Sequence, residues 1–309
     1  MADGVVYRLA TGPEDFAPTY ELFLRAANDL RTRSHRDLLD DTAARRTRAL
    51  AFREHAFRHD AEGFWLAESD GQQIGFGVAT ARPGFWHLNA LHVVPEFQAM
   101  GVGRELLKRC LGYGRDGKVV STVISEAAQP ISNALYARHG MYQWLPLVHV
   151  ECPVFSPDIS ARGRARTSRV GRLNEATLAA LDRIDTAALG FTRRVDHQLW
   201  IGLPDLSLLL LEVAAEPAGY AYVSRFGGIG PCASRSTREL PDLLAHSIHR
   251  ASEHGLDRVS LVVPGIASNA LAYLLAHGGR YDASITLLLS STPFGHLNRY
   301  LLSASDALF

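Results

Sequence analysis

Leu91-His92-Val93-Val94-Pro95-Glu96-Phe97-Gln98-Ala99-Met100-Gly101-Val102-Gly103-Arg104 is the stretch that decides the fold. An apolar strand runs into a proline, and Gln98-x-x-Gly101-x-Gly103 then opens a helix whose Leu106, Leu107, Cys110 and Leu111 recur at three- and four-residue spacing. Glycines let the backbone approach an anion closely, and the first turn of a helix offers N–H donors without partners at the positive end of the helix dipole. The stretch therefore reads as a pyrophosphate cradle. A dinucleotide-binding fingerprint would need a third glycine three residues after Gly103, where Leu106 stands.

Spacing alone is weak support, because Arg225-x-x-Gly228-x-Gly230 repeats it. There Pro231 follows at once and helical periodicity resumes only near Leu240, so those glycines read as part of a hairpin between two strands. Strand, proline and helix stand in the required order only in the first copy.

Val93, Pro95, Gln98, Gly101 and Gly103 match, position by position, the V-x-P-x-x-(Q/R)-x-x-G-x-(G/A) motif of the GNAT family of acyl-CoA-dependent N-acyltransferases, which the chain resembles. The resemblance implies that main-chain N–H groups from Gln98, Ala99, Met100, Gly101, Val102, Gly103 and Arg104 hold the pyrophosphate of acetyl-CoA, the co-substrate. It implies also that Leu91, His92 and Val93 pair with the pantetheine arm.

Length and composition set the frame. The 309 residues suit two domains of ordinary size, and a formal net charge of zero gives no gross signature for nucleic acid or an anionic membrane. Basic residues are almost all arginine, with Lys108 and Lys118 the exceptions, a bias spread over the whole chain that marks no site. Cys110, Cys152 and Cys232 are widely separated and form no C-x-x-C, which fits a reducing cytoplasm. The N-terminus has no basic region followed by an apolar core, and no apolar run approaches bilayer length, so the reading expects no export and no membrane partner.

The first half reads strand 5–9, helices 16–33 and 42–59, strands 64–68, 73–81 and 86–94, the cradle helix, strand 119–124, helix 130–139 and strand 147–150. Residues 153–169 have linker composition, rich in Ser, Pro, Asp, Gly and Arg. The second half repeats the outline: helix 175–190, strands 206–213 and 219–224, helix 237–254, strand 259–263, helix 268–277 and strand 284–289. The expected fold class is thus mixed α/β (α+β): two GNAT-like units in tandem, each a mostly antiparallel sheet flanked by helices. Their bounds are 1–152 for a catalytic domain, 153–169 for a linker and 170–309 for a non-catalytic domain. Before its long helix the second copy has Cys232-Ala-Ser-Arg-Ser-Thr-Arg238 in place of a cradle. The plan resembles bacterial tandem GNAT proteins with an intact first unit. Mycothiol synthase-like proteins also have two units, but their active unit is the second, which counts against that activity here.

Acyl transfer from a thioester to an amine needs a neutral amine, a polarised carbonyl and a leaving thiolate that can be reprotonated. Tyr136, in Tyr136-x-x-x-Gly140-Met141, matches the family's tyrosine that faces the CoA sulfur, with Met141 in place of Phe. The alternative is a tyrosine packing a helix on the sheet. Gln129 stands where the family has an asparagine, and Asn133 lies one turn later. Counting back eleven residues from Gln98 gives His87 at a position where some family members carry a glutamate base. Imidazole near its ordinary pKa of about 6.5 suits that task, while a packed strand histidine is the competing reading. Glu126 is the reserve base. Glu54-His55-x-x-x-His59 lacks the order and the third ligand of a metal site, so no metal is expected. The arginines and histidines from Arg25 to His59 read either as a solvated face or as groups that meet an acidic function on the acceptor.

The functional expectation is a cytoplasmic acetyl-CoA-dependent N-acetyltransferase acting on a primary amine of a small molecule, as a monomer or homodimer. The alternative is a non-catalytic acyl-CoA-binding sensor.

Overall fold

The computed structural model describes residues 4–115, 119–155 and 165–302. Two compact units share the chain: Met1–Val123 with Pro130–His139, and Ile124–Gln129 with Gly140–Phe309.

The first unit is built from β1 (Val6–Leu9), α1 (Phe16–Arg33), α2 (Ala43–His59), β2 (Phe64–Ser69), β3 (Gln72–Arg82), β4 (Phe85–Val93), α3 (Val102–Leu111), β5 (Val120–Glu126, which belongs to this unit as far as Val123) and α4 (Pro130–Arg138). Strands β1 to β4 form an antiparallel meander, and β5 joins β4 in parallel. The connection from β4 to β5 runs through α3, as a parallel neighbour requires. The core packs Phe16, Leu22, Phe64, Leu66, Ile74, Phe76, Val78, Val102 and Leu106.

Glycines on β3 set how closely α3 sits. A Cβ at Gly77 would lie 2.8 Å from Cys110 Sγ, and one at Gly75 would lie 3.1 Å from Leu106 Cδ1. Leu106, Leu107 and Cys110 are all completely buried, so the helix lies directly on the strand backbone and fixes where its own N-terminus projects.

The second unit contains β6 (Tyr142–Pro153), β7 (Ala165–Val170), α5 (Glu175–Leu189), α6 (Arg194–Gly202), β8 (Leu206–Val213), β9 (Glu216–Ser224), β10 (Gly228–Ser234), α7 (Leu240–Ser252), β11 (Arg258–Pro264), α8 (Ser268–Ala276), β12 (Arg280–Ser290) and β13 (Tyr300–Leu301). Its sheet runs β12-β6-β11-β10-β9-β8-β7, with β13 beside β10. The mixed α/β class and the repeated, mostly antiparallel sheet are as the sequence reading expected.

Three local expectations change. Strand β6, assigned from sequence to the first domain, lies in the second unit between β11 and β12, antiparallel to both. Hydrophobic alternation announces a strand but not its partners. The supposed linker is shorter than 153–169: residues 156–164 lie outside the described residues, but 165–170 form β7. This strand ends the sheet with β8 as its partner, so ladder hydrogen bonds hold it without the apolar alternation of an interior strand. Helix α6 was missed because it buries Asp196, His197 and Trp200, a pattern that is not an apolar stripe.

Those buried polar groups belong to one network. Asp185 accepts from His197 Nε2 at 2.8 Å, from Tyr220 Oη at 2.5 Å and from Arg193 Nε at 3.3 Å, while Arg193 Nη1 donates to Tyr300 Oη at 2.9 Å. Burial pushes the Asp185 carboxyl up, but Arg193, His197 and Tyr220 together hold it below the usual carboxylate value. Asp185→Ala strands the Arg193 charge in the core and is expected to cost about 3–5 kcal/mol in urea unfolding. Gly77→Ala, by forcing Cys110 off its seat, should cost about 1–3 kcal/mol. Gly171→Ala, with open space around the added methyl, should stay within about 0.5 kcal/mol of the parent in the same assay.

Candidate active site

Between β4 and α3 the chain makes a single 3-10 turn, Pro95–Phe97, closed by Phe97 N–H to Val94 O at 3.0 Å and Gln98 N–H to Pro95 O at 3.2 Å. The Gln98 side chain folds back and donates from Nε2 to Val93 O at 3.0 Å, tying the loop to the end of the strand. Ala99 (φ 62) and Gly101 (φ 89) are both left-handed, which turns the backbone sharply into the helix. The first bond of the helical ladder is Glu105 N–H to Gly101 O at 3.1 Å, so the N–H groups of Val102, Gly103 and Arg104 precede it and have no intrahelical acceptor. Gln98, Ala99, Met100 and Arg104 are exposed. Gly103 has ordinary helical geometry, and a Cβ there would meet only Val93 Cγ2 at 3.7 Å. Its missing side chain therefore leaves open the space in front of the helix N-terminus.

Strands β4 and β5 pair over Phe85–Leu88 and Val120–Val123, and the parallel ladder stops at Leu88↔Val123. β4 continues to Val93 with β3 as its partner. From Asn89 onward its other edge has no strand beside it among the described residues, and Leu91, His92 and Val93 all lie on this stretch. The β3–β4 register slips at the parting point, with Val78↔Ala90 followed by Ala79↔Leu88, which makes Asn89 the bulged residue. Both polar atoms of its side chain are buried without a partner among the described residues. Sequence reading passed over Asn89; its one signal is an amide inside an otherwise apolar strand.

His92 places its ring 5.1 Å from Phe23 and 5.4 Å from Phe76. Burial, aided by the nearby Arg53 charge, pulls its pKa down to about 4. His87 is 1% exposed, with Nδ1 2.9 Å from Thr122 Oγ1. Because that hydroxyl donates to Trp86 O at 3.1 Å, it accepts from His87, which puts the imidazole proton on Nδ1 and makes Nε2 the basic nitrogen. On α4, Asn133 and Tyr136 are both buried. The Tyr136 hydroxyl has no hydrogen-bond partner among the described residues. Burial, with a smaller contribution from Cys110, raises its pKa well above the ordinary tyrosine value. The cradle, the free β4 edge, His87, Asn133 and Tyr136 all belong to the first unit, whereas Glu126 and Gln129 fall in the second. The rings of His55 and His59 lie 4.7 Å apart, with no third metal-ligating side chain converging among the described residues.

The second unit has the corresponding parallel pair, and there the gap is filled. β10 and β11 pair at Gly228↔Ser260 and Ile229↔Leu261, after which β13 enters: Cys232↔Leu301, Ala233↔Tyr300 and the bridge Val262↔Leu302. Ahead of α7, the Glu239 carboxylate accepts from Ser236 N–H at 3.0 Å, so a fixed negative charge stands where a helix N-terminus would otherwise receive an anion. Arg225, Gly228 and Gly230 flank and enter β10 within a β9–β10 hairpin, as the sequence reading expected of them. The strand plug had no sequence signal, since a two-residue strand has no period.

Residues 24–141 match the family described as Acetyltransferase (GNAT) family. The chain contains a GNAT-family acyltransferase domain. Over its whole length the tandem GNAT fold is shared with solved structures of low identity. A proposed acetyltransferase from Pyrococcus horikoshii superposes with a TM-score of 0.75 at 19% identity, covering 99% of this chain and 97% of that one. A GCN5-related N-acetyltransferase from Sphaerobacter thermophilus gives 0.64 at 15% identity, covering 97% and 99%. A tandem GNAT protein from the clavulanic acid biosynthesis pathway gives 0.57 at 13% identity, covering 94% and 99%. No curated protein matches the chain. Among the described residues no helix is long and apolar enough to cross a membrane.

In this GNAT domain the residues present fit an acyl-CoA: unsatisfied helical N–H groups, the open face at Gly103 and a free strand edge follow one another along the chain. The depressed His92 pKa sets a pH dependence. An unfolded histidine takes up a proton near pH 6.5 while the folded ring resists until about 4, so stability is full above about 6.5 and falls as pH drops toward 4. His92→Phe should flatten that slope in denaturation curves recorded between pH 4 and 7.

Proposed function

We propose that the protein is an acetyl-CoA-dependent N-acetyltransferase, with the first unit catalysing transfer to the primary amine of a small molecule in a ternary complex. The observation that carries this reading is the asymmetry between the two parted strand pairs. Beside β4, on the β5 side, no strand among the described residues continues past Leu88 and a helix N-terminus with unused N–H groups follows, whereas beside β10 the gap holds β13 and the helix start holds Glu239. The second unit is accordingly read as non-catalytic.

Bound acetyl-CoA would supply an activated thioester carbonyl. The N–H groups of Val102 to Arg104 would bind its diphosphate, Gln98 keeps the loop in register with β4, and Asn133 is the candidate on α4 for contacts to its arm. His87 is the residue of this unit whose side-chain type suits taking the proton that the amine loses on attack, directly or through water.

Tyr136 has a narrower role than its residue type suggests. A thiol titrates near 8.5, and burial lifts the phenol far above that, so complete proton transfer from Tyr136 to a departing thiolate is uphill. What the phenol offers is a fixed O–H donor that stabilises the charge developing on sulfur. Tyr136→Phe should then lower kcat by roughly 10²-fold with little change in acetyl-CoA affinity, read from CoA release and from calorimetry.

Calorimetric titration with acetyl-CoA tests the reading directly. One site per chain is expected, lost in Gly103→Glu, which fills the space in front of the helix N-terminus without leaving helical geometry. Absence of binding in the parent protein would sink the transferase reading. Binding without amine-dependent CoA release over a broad amine panel would favour an acyl-CoA sensor.

A further inference from the structure

Arg53, on α2, is a cation held by neutral groups. Its Nε donates to Thr19 Oγ1 at 2.7 Å, Nη1 to Ala49 O at 3.0 Å and Nη2 to Thr19 O at 3.3 Å. The guanidinium carbon lies 5.4 Å from the Phe76 ring centre and 5.9 Å from that of Tyr20, so aromatic rings fix its position. No carboxylate pairs with it among the described residues. Elsewhere in the unit, Arg8, Arg25, Arg46, Arg58, Arg82 and Arg109 each have one. Burial pulls the guanidinium pKa down to about 10, still protonated at neutral pH.

An arginine has five N–H donors in a rigid fork. With those three bonds made, one donor remains on each Nη, enough to give a carboxylate or phosphonate two hydrogen bonds. A desolvated charge without a counter-charge is costly, and a fixed fork with that pair unused is a ready receptor for an anion. Its location ties it to the site. The Phe76 ring that walls Arg53 lies 5.4 Å from the ring of His92, which stands on the stretch of β4 that β5 leaves free. His92 is itself neutral there and adds no second positive charge beside Arg53.

We propose that Arg53 reads an anionic group on the acceptor, so that the substrates are small amines that also carry a carboxylate or a phosphonate-like group. This rests on the transferase reading above. The same fork would suit a phosphate of the co-substrate, and the test separates the two sources.

The experiment compares kcat/KM for propylamine, β-alanine and 3-aminopropylphosphonate in the parent protein and in Arg53→Met, which keeps the stem packed between the rings, with acetyl-CoA titrated calorimetrically into both. The parent should prefer the anionic amines over propylamine by at least about tenfold, as expected for a charge-assisted hydrogen bond. In Arg53→Met that ratio should collapse toward one, with the acetyl-CoA Kd unchanged. No preference in the parent overturns the proposal, and so does a weakened acetyl-CoA Kd in the variant, which would assign the anion to the co-substrate. A uniform loss for all three amines with a lowered Tm means that Arg53 only staples α1 to α2, and overturns it too. If the parent binds acetyl-CoA but acetylates none of the three, the transferase reading fails for this class. The anion site is then judged by thermal shift: 3-aminopropylphosphonate raising the Tm of the parent but not of Arg53→Met retains it, and no shift in the parent removes it.

Discussion

Two parallel strands that pair at one end and part at the other leave main-chain donors and acceptors that need a partner from somewhere. This constraint organises both halves of the chain. In the second unit the chain answers it internally, by sending β13 into the gap between β10 and β11. In the first, no described segment takes that place beside β4. A repeated fold thus carries one filled slot and one open one, and the difference lies in a two-residue strand rather than in the sheet framework.

The open slot stays in register because α3 is seated on bare backbone. Gly75 and Gly77 let Leu106 and Cys110 reach the surface of β3, and this seating fixes the helix on the strand that pairs with β4. Gln98 then fastens the loop to Val93. The elements that would hold a diphosphate are thus positioned by apolar burial on one side of the helix and by a single side-chain hydrogen bond at its start. Neither contact uses the groups that face the ligand.

Charge is handled differently in the two units. The second buries Asp185, Arg193 and His197 with tyrosine hydroxyls satisfying the remaining donors and acceptors, a closed set that specifies packing. The first buries Arg53 with neutral acceptors and Asn89 with none, and both lie in the unit whose strand edge is free.

The strand, turn and helix of residues 91–104 were legible from that stretch alone, because its glycines, its proline and its apolar helical period are neighbours in sequence. The order of most strands and helices was legible for the same reason, since periodicity reports which face of a segment is buried. Alternation cannot name a strand's neighbour, so only the tertiary structure decided that β6 completes the second sheet, that polar β7 forms its edge, and that β13 closes one slot while the other stays open. Residue identity likewise cannot give counter-charge. Arg53 stands among many arginines in the sequence, and it became distinct only once the fold had placed carboxylates beside Arg8, Arg25, Arg46, Arg58, Arg82 and Arg109 and, among the described residues, none beside it.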